Sequence, residues 1–161
     1  MTEHRPVNIT GLALKIPPAL IFILWIAMMA TLRYIFPGLN YELFLTPYVV
    51  GLFFILGIFL VLAGFFSFRK AKTTINPRKP EKTTAIVTSG IFRLSRNPMY
   101  LGFLMWVIAW AFMQANLVTF VFLPLFVFYM NRYQIIPEEK ILLSQFGDIY
   151  YRYLNKVGRW L

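Results

Sequence analysis

The chain has 161 residues, of which 59% are hydrophobic, 19% aromatic and only 14% charged, against roughly 45–50% apolar in an average soluble domain. Its lack of cysteine excludes a disulfide, a thiolate metal site and a cysteine nucleophile. The net charge of +10 would suit nucleic acid, but the basic residues flank apolar blocks and form no stripe interleaved with stacking aromatics, so membrane topology accounts for them better.

The apolar residues fall in long blocks that only a bilayer can cover, which predicts a single membrane domain over residues 1–161. The polar N-terminal tail holds the lone histidine, His4, read as solvated. Asn8-Ile9-Thr10 has the glycosylation pattern, a chance match if the tail is cytoplasmic. The first predicted span runs from Pro17 to Phe36, with Pro17 and Pro18 at a helix start that tolerates their missing N–H groups. It is too long for a signal-peptide core and lacks a small-residue cleavage site, so it reads as a retained anchor. A polar break containing Pro37, Gly38, Asn40 and Glu42 precedes the second span, Leu45 to Phe66. Gly51, Gly57 and Gly64 in that span are expected to let another helix approach closely.

From Ser67 to Asn97 the chain is hydrophilic, with Arg69, Lys70, Lys72, Arg78, Lys79, Lys82, Arg93 and Arg96 against the single acid Glu81. Such a stretch belongs on the cytoplasmic side. The third block, Met99 to Gln114, has 16 residues, short of the roughly 20 that a perpendicular span needs; it is tilted, extended by its flanks or partly re-entrant. Only Gln114-Ala115-Asn116 separates it from the fourth span, Leu117 to Ile136, which predicts an antiparallel helical hairpin with a kink at Pro124. Arg5 and Lys15 precede the first span, and Arg132, Lys140, Arg152, Lys156 and Arg159 lie near or beyond the end of the fourth, so both termini are predicted cytoplasmic. From Glu138 to Tyr153 the side chains Leu142, Phe146, Ile149, Tyr150 and Tyr153 recur at spacings of three and four, the pattern of an amphipathic tail helix in the interface. The predicted fold is therefore an all-α, multi-pass integral membrane protein: four transmembrane helices, a C-terminal helical hairpin and a cytoplasmic amphipathic tail helix.

Ionisable groups are nearly absent from the apolar blocks, which offers no proton relay or ion path inside the membrane. Chemistry is expected at the cytoplasmic interface, where the hairpin brings the segment from Arg93 to Gly102 towards Pro137-Glu138-Glu139. Arginine offers a planar donor fork for a carboxylate or phosphate, and the two glutamates can hold an ammonium. Together they suit a zwitterion with an extra positive charge, which describes S-adenosylmethionine, and the face of Tyr100 can attract its cation. The same residues also have ordinary roles, the bases in setting topology and the acids in balancing a helix dipole.

The segment Gly90-Ile91-Phe92-Arg93-Leu94-Ser95-Arg96-Asn97-Pro98-Met99-Tyr100-Leu101-Gly102 resembles a pattern of the isoprenylcysteine carboxyl methyltransferase and phospholipid methyltransferase family. That pattern is a glycine and an aromatic-arginine pair followed by Arg-His-Pro-x-Tyr-x-Gly. Downstream, Glu138-Glu139, Phe146-Gly147, Tyr150, Tyr153, Val157 and Arg159-Trp160 are similar to the family's C-terminal signature in order and approximate spacing. The resemblance covers about Thr88 to Leu161, the half expected to bind the cofactor.

The resemblance implies a membrane-embedded methyltransferase that uses S-adenosylmethionine near the cytoplasmic face, with a lipophilic acceptor entering between helices. It puts Arg96, Asn97, Pro98, Tyr100 and Gly102 in a first cofactor motif and Glu138 and Glu139 in a second. Arg93 or Arg159 would orient a carboxylate acceptor; Tyr150, Tyr153 and Trp160 would line a substrate mouth or serve as interfacial anchors. No metal site is expected. Asn97 stands where the family's motif most often has histidine; it can make cofactor contacts but cannot carry a proton at neutral pH. The acceptor is left open among an isoprenylcysteine carboxylate, a phospholipid amine and another lipophilic molecule. Two other readings stand beside this one: an NADPH-dependent membrane reductase related to sterol reductases, and a small four-span transporter, which would ordinarily need a mid-membrane polar site.

Overall fold

Long apolar runs leave the backbone N–H and C=O groups little to bond but one another, and helices are the local way to do so. The computed structural model describes residues 14–71 and 84–161; His4, the Asn8-Ile9-Thr10 sequon and the basic residues from Lys72 to Lys82 lie outside the described residues. Among the described residues three elements are long and apolar enough to cross a membrane: α1 (Pro18–Ile35), α2 (Thr46–Lys70) and a 30-residue rod, Leu117–Phe146. Helix α3 (Pro98–Gln114) is apolar but has 17 residues. Among the described residues the only strand-like pairing is an isolated bridge between Asn40 and Asn116.

The rod is not uniform. It begins with a 3-10 turn, Leu117–Val121, continues as α4 (Phe122–Met130), widens into a π-helical segment, Asn131–Ile135, and resumes as α5 (Ile136–Phe146). Pro124, the expected kink, lies in the first turn of α4. The change from 3-10 to α geometry thus falls where a missing N–H and a ring clash interrupt the ladder. Pro137 has the same effect at the other end of the π segment, since a proline four residues on cannot bond the Tyr133 carbonyl.

One predicted element is corrected. The tail from Glu138 to Tyr153 is not a single interfacial helix: its first part belongs to α5, and Gly147, at φ 51°, breaks the chain before a separate α6 (Asp148–Lys156). That backbone angle is one that glycine adopts without the Cβ clash of other residues. After the break Tyr150 and Tyr153 face inward, whereas Ile149 is 62% exposed.

Helix α2 packs along α3 through small residues. A Cβ on Gly57 would run into the Trp106 indole, one on Gly64 into Met99, and one on Gly102 into Val61 and the Gly57 carbonyl. Gly51 has open space around it and takes no part, unlike the expectation for it. Indole N–H groups tie the helices further: Trp106 donates to the Phe54 carbonyl, Trp110 to Ile26 and Trp25 to Phe122, each at 3.0 Å. Inside a bilayer no water competes for those carbonyls.

The end of the bundle away from the glutamates is closed by a polar knot. Ala115, in the left-handed conformation, ends α3, and the fully buried Asn116 follows. Asn116 Nδ2 donates to the Phe36 carbonyl at 2.9 Å and to Asn40 Oδ1 at 2.7 Å, while its Oδ1 accepts from the Val118 N–H at 3.0 Å. Arg33 adds a bond to the Gln114 carbonyl at 3.0 Å. The predicted turn between the third and fourth apolar blocks is thereby fastened to the connection between α1 and α2.

Candidate functional site at the glutamate end

The site grows from a turn. After a 3-10 stretch, Gly90–Arg93, the chain turns through Leu94–Asn97 and enters α3 at Pro98, a first-turn proline that needs no N–H partner. Asn97 occupies the cap position of α3 but does not cap it; its Nδ2 donates instead to the Arg159 carbonyl at 2.9 Å. The Arg96 N–H donates to the Gly158 carbonyl at 3.1 Å, and the buried Ser95 Oγ accepts from the Asn97 N–H at 3.1 Å. These bonds strap residues 158–159 across the start of α3.

The side chains of this strap meet the two glutamates. Arg159 grips Glu139 with two parallel bonds, Nε to Oε1 at 3.0 Å and Nη2 to Oε2 at 2.7 Å. This fork-on-carboxylate geometry is among the stronger side-chain pairings. The bonded carboxylate stabilises the charged guanidinium and raises its affinity for the proton, against the opposing effect of partial burial. Arg96 Nη1 approaches Glu139 Oε1 at 3.1 Å, yet the alignment is not that of a hydrogen bond, and neither Nη1 nor Nε has a hydrogen-bond acceptor among the described residues. With its side chain 10% exposed, Arg96 therefore holds buried donors in reserve, which ordinarily signals a missing anionic or carbonyl partner. Glu138 is bound differently: its Oε2 accepts from the Tyr100 hydroxyl at 3.1 Å.

Two adjoining cavities share Phe68, Phe92, Arg96, Asn97 and Glu138. The first, of about 60 Å³, adds Glu139, Tyr150 and Tyr153 as its polar wall. Burial holds the Tyr150 phenol well above its ordinary range, helped by the nearby Glu139 and Glu138 and opposed by Arg96; Tyr153 is raised by burial against the same arginine. The Tyr153 hydroxyl donates to the Phe92 carbonyl at 2.7 Å, tying α6 to the 3-10 stretch. The second cavity, of about 310 Å³, is mainly apolar and runs between the start of α1, at Pro17, Pro18 and Ala19, and the face of α3 bearing Met99 and Phe103.

Of the residues singled out from sequence, Arg96, Asn97, Glu138, Glu139, Tyr150 and Tyr153 line the first cavity, and Pro98 and Tyr100 line the second. Arg159 acts at one remove through Glu139. Gly102 packs α3 on α2, and Trp160 donates to Asn131 Oδ1 at 3.1 Å; neither lines a cavity. Arg93 is exposed and lines neither. Sequence reasoning missed Phe68 and the Pro17–Ala19 wall, which come from spans whose only local signal is hydrophobicity and a helix-start proline pair.

Known proteins agree with this half of the chain and extend beyond it. A family profile described as phospholipid methyltransferase matches residues 46–149. The chain is 33% identical over 135 residues to protein-S-isoprenylcysteine O-methyltransferase of Saccharomyces cerevisiae, covering 78% of this chain and 54% of the yeast protein. It thus spans about half the length of that relative. Against protein-S-isoprenylcysteine O-methyltransferase A of Arabidopsis thaliana the identity is 29% over 155 residues, 94% of this chain and 77% of the plant protein. A probable protein-S-isoprenylcysteine O-methyltransferase of Oryza sativa subsp. indica is 31% identical over 159 residues, 96% of this chain and 81% of the rice protein. The motif around Arg96, the paired glutamates and these matches lead to one conclusion: the chain belongs to the isoprenylcysteine and phospholipid methyltransferase family.

Proposed function

We propose that the protein is a four-span membrane methyltransferase that moves a methyl group from S-adenosylmethionine to a lipophilic acceptor, with the glutamate end and both termini on the cytoplasmic side. The observation that carries this reading is Arg96, ion-paired with Glu139 but with buried Nε and Nη1 donors that have no hydrogen-bond acceptor among the described residues, standing where the polar and apolar cavities meet. The residues fit the cofactor: Arg96 suits its carboxylate, Asn97 can add neutral hydrogen bonds, and Glu138 offers negative charge to its ammonium or sulfonium. When bound, the cofactor supplies an electrophilic methyl group. Held there, it would pass that methyl group to the acceptor's lone pair and leave as the neutral thioether, and an amine acceptor would also have to give up a proton.

The protein's share of the work is alignment. The apolar cavity directs an acceptor's reactive end to Arg96, Asn97 and Glu138, and the Arg159–Glu139 pair fixes the floor beneath them. An isoprenylcysteine carboxylate, the acceptor type in the relatives' names, is already nucleophilic and needs no base. The family match favours methyl transfer over the reductase and transporter readings. Because small-molecule sites usually enclose about 300–1,000 Å³, the polar cavity of about 60 Å³ has to widen for the cofactor, and α6 gives way only if the Tyr153 hydroxyl releases the Phe92 carbonyl.

The test is calorimetric titration of detergent-purified protein with S-adenosylmethionine and S-adenosylhomocysteine, with Arg96→Ala as the control. Saturable binding that Arg96→Ala abolishes is the expected result. No binding by folded parent protein would remove the basis of this reading.

A further inference from the structure

The wall of the apolar cavity is fastened from an unexpected place. The lead into α1 carries Pro17 and Pro18, which have no N–H to anchor it, so its position depends on bonds made by its neighbours. Two are present. The Leu14 N–H donates to the Tyr133 carbonyl at 3.0 Å, and Gln134 Nε2 donates to the Ile16 carbonyl at 3.0 Å. Both partners belong to the π segment, where Pro137 leaves the Tyr133 carbonyl without its ordinary α-helical donor. Gln134 is fully buried, and its Oε1 has no partner among the described residues, so the amide is retained despite an unsatisfied acceptor. An apolar side chain of similar size would avoid that penalty, which makes the bond to Ile16 the feature that a glutamine serves here.

The same five residues hold the other cavity's strap. Asn131 Oδ1 accepts from Trp160, the neighbour of Arg159, which grips Glu139. Resting on the proposed acceptor role of the apolar cavity, we propose that Gln134 is a specificity-determining positioning residue. By pinning Ile16 it sets the gap between Pro17–Ala19 and the Met99–Phe103 face of α3, and so selects the girth of the acceptor's apolar chain.

The native chain has no cysteine, so spin labels at Lys15→Cys and Lys70→Cys, both exposed positions, report the width of this mouth by pulsed electron spin resonance. Gln134→Leu, with Gln134→Asn as a second variant, is expected to broaden that distance distribution while leaving S-adenosylmethionine affinity unchanged. With N-acetyl-S-dodecyl-cysteine (unbranched) and N-acetyl-S-farnesyl-cysteine (methyl-branched, of equal main-chain length) as acceptor probes, relative kcat/KM should shift by about fivefold towards the wider, branched chain, the factor equivalent to one net hydrogen bond. A distribution as narrow as the parent's in a folded variant overturns the proposal whichever acceptor is natural. So does broadening accompanied by loss of cofactor affinity, which would make Gln134 a general structural residue. Failure of the parent to bind cofactor or methylate any probe would strike the proposed function and, with it, the specificity role, while the distance measurement would still decide whether Gln134 sets the gap.

Discussion

Replacing Glu139 by glutamine removes the charge that Arg159 and Arg96 share while keeping the side chain's shape. In the structure Glu139 is 12% exposed and accepts two bonds from Arg159, with Arg96 Nη1 a further 3.1 Å contact. Hydrogen bonds to charged groups contribute about 1.5–3 kcal/mol each, and losing one partner of a buried ion pair costs about 3–5 kcal/mol. Arg159 is 34% exposed, so water offsets part of its loss, and the lower figure, about 3 kcal/mol, is the appropriate estimate. The strap across α3 then depends on the Arg96–Gly158 backbone bond, the Asn97 amide on the Arg159 carbonyl and the Trp160 indole on Asn131. At 1.4 kcal/mol per decade, its local opening should become about 100-fold more frequent. The Arg96 amide, which donates to the Gly158 carbonyl, reads this directly by hydrogen exchange. Its protection should fall by about two orders of magnitude, while amides in the middle of α2 keep theirs. A fall of less than tenfold in a folded variant would refute the view that Glu139 holds the strap through Arg159.

Other consequences can be measured separately. Gly102→Ala should destabilise the bundle by about 1–3 kcal/mol, the usual cost of overpacking, because the new Cβ meets Val61 and the Gly57 carbonyl; Gly51→Ala, in open space within α2, should not lower the melting temperature and gains the higher helix propensity of alanine. Asn116→Ala removes three hydrogen bonds and should cost about 3 kcal/mol of stability, whereas cofactor affinity, measured at the opposite end, stays as in the parent. Tyr150 and Tyr153 have raised phenol pKa values in the folded chain, so their contribution to stability is whole below the unfolded value of about 10 and declines as pH rises beyond it. Ultraviolet titration should show Tyr150→Phe removing a phenolate signal that develops only at higher pH than that of exposed tyrosines, and unchanged titration would contradict their burial.

Much of the fold was legible because bilayer-length apolar runs have few alternatives. The hairpin at Gln114-Ala115-Asn116 followed from a connection too short for anything but an antiparallel return. The tail was misread because Leu142, Phe146, Tyr150 and Tyr153 keep a helical spacing across Gly147, although the helix breaks there. Periodicity records which side chains are buried, not whether one helix buries them all. The π segment was equally hidden, since one extra residue per turn leaves no mark in an apolar run. For the candidate site, local motifs brought out Arg96, Asn97, Glu138 and Glu139. They could not foretell that Arg159 spends its charge on Glu139, or that Pro17 and Phe68 wall a cavity, because those pairings join residues far apart in the chain.

The knot around Asn116 gives the bundle a direction of compliance. With α3, the rod and the connection between α1 and α2 joined at one end, the helices are arms of a pair of tongs riveted at the base. An arm of 17 residues, the length of α3, is about 25 Å long, so a swing of about 5° at the rivet moves its tip by about 2 Å. A swing of that size would also have to loosen the seating of Gly64 on Met99 and the indole bonds along the helices, so the rivet sets where the bundle pivots and the packing above it sets how readily it opens.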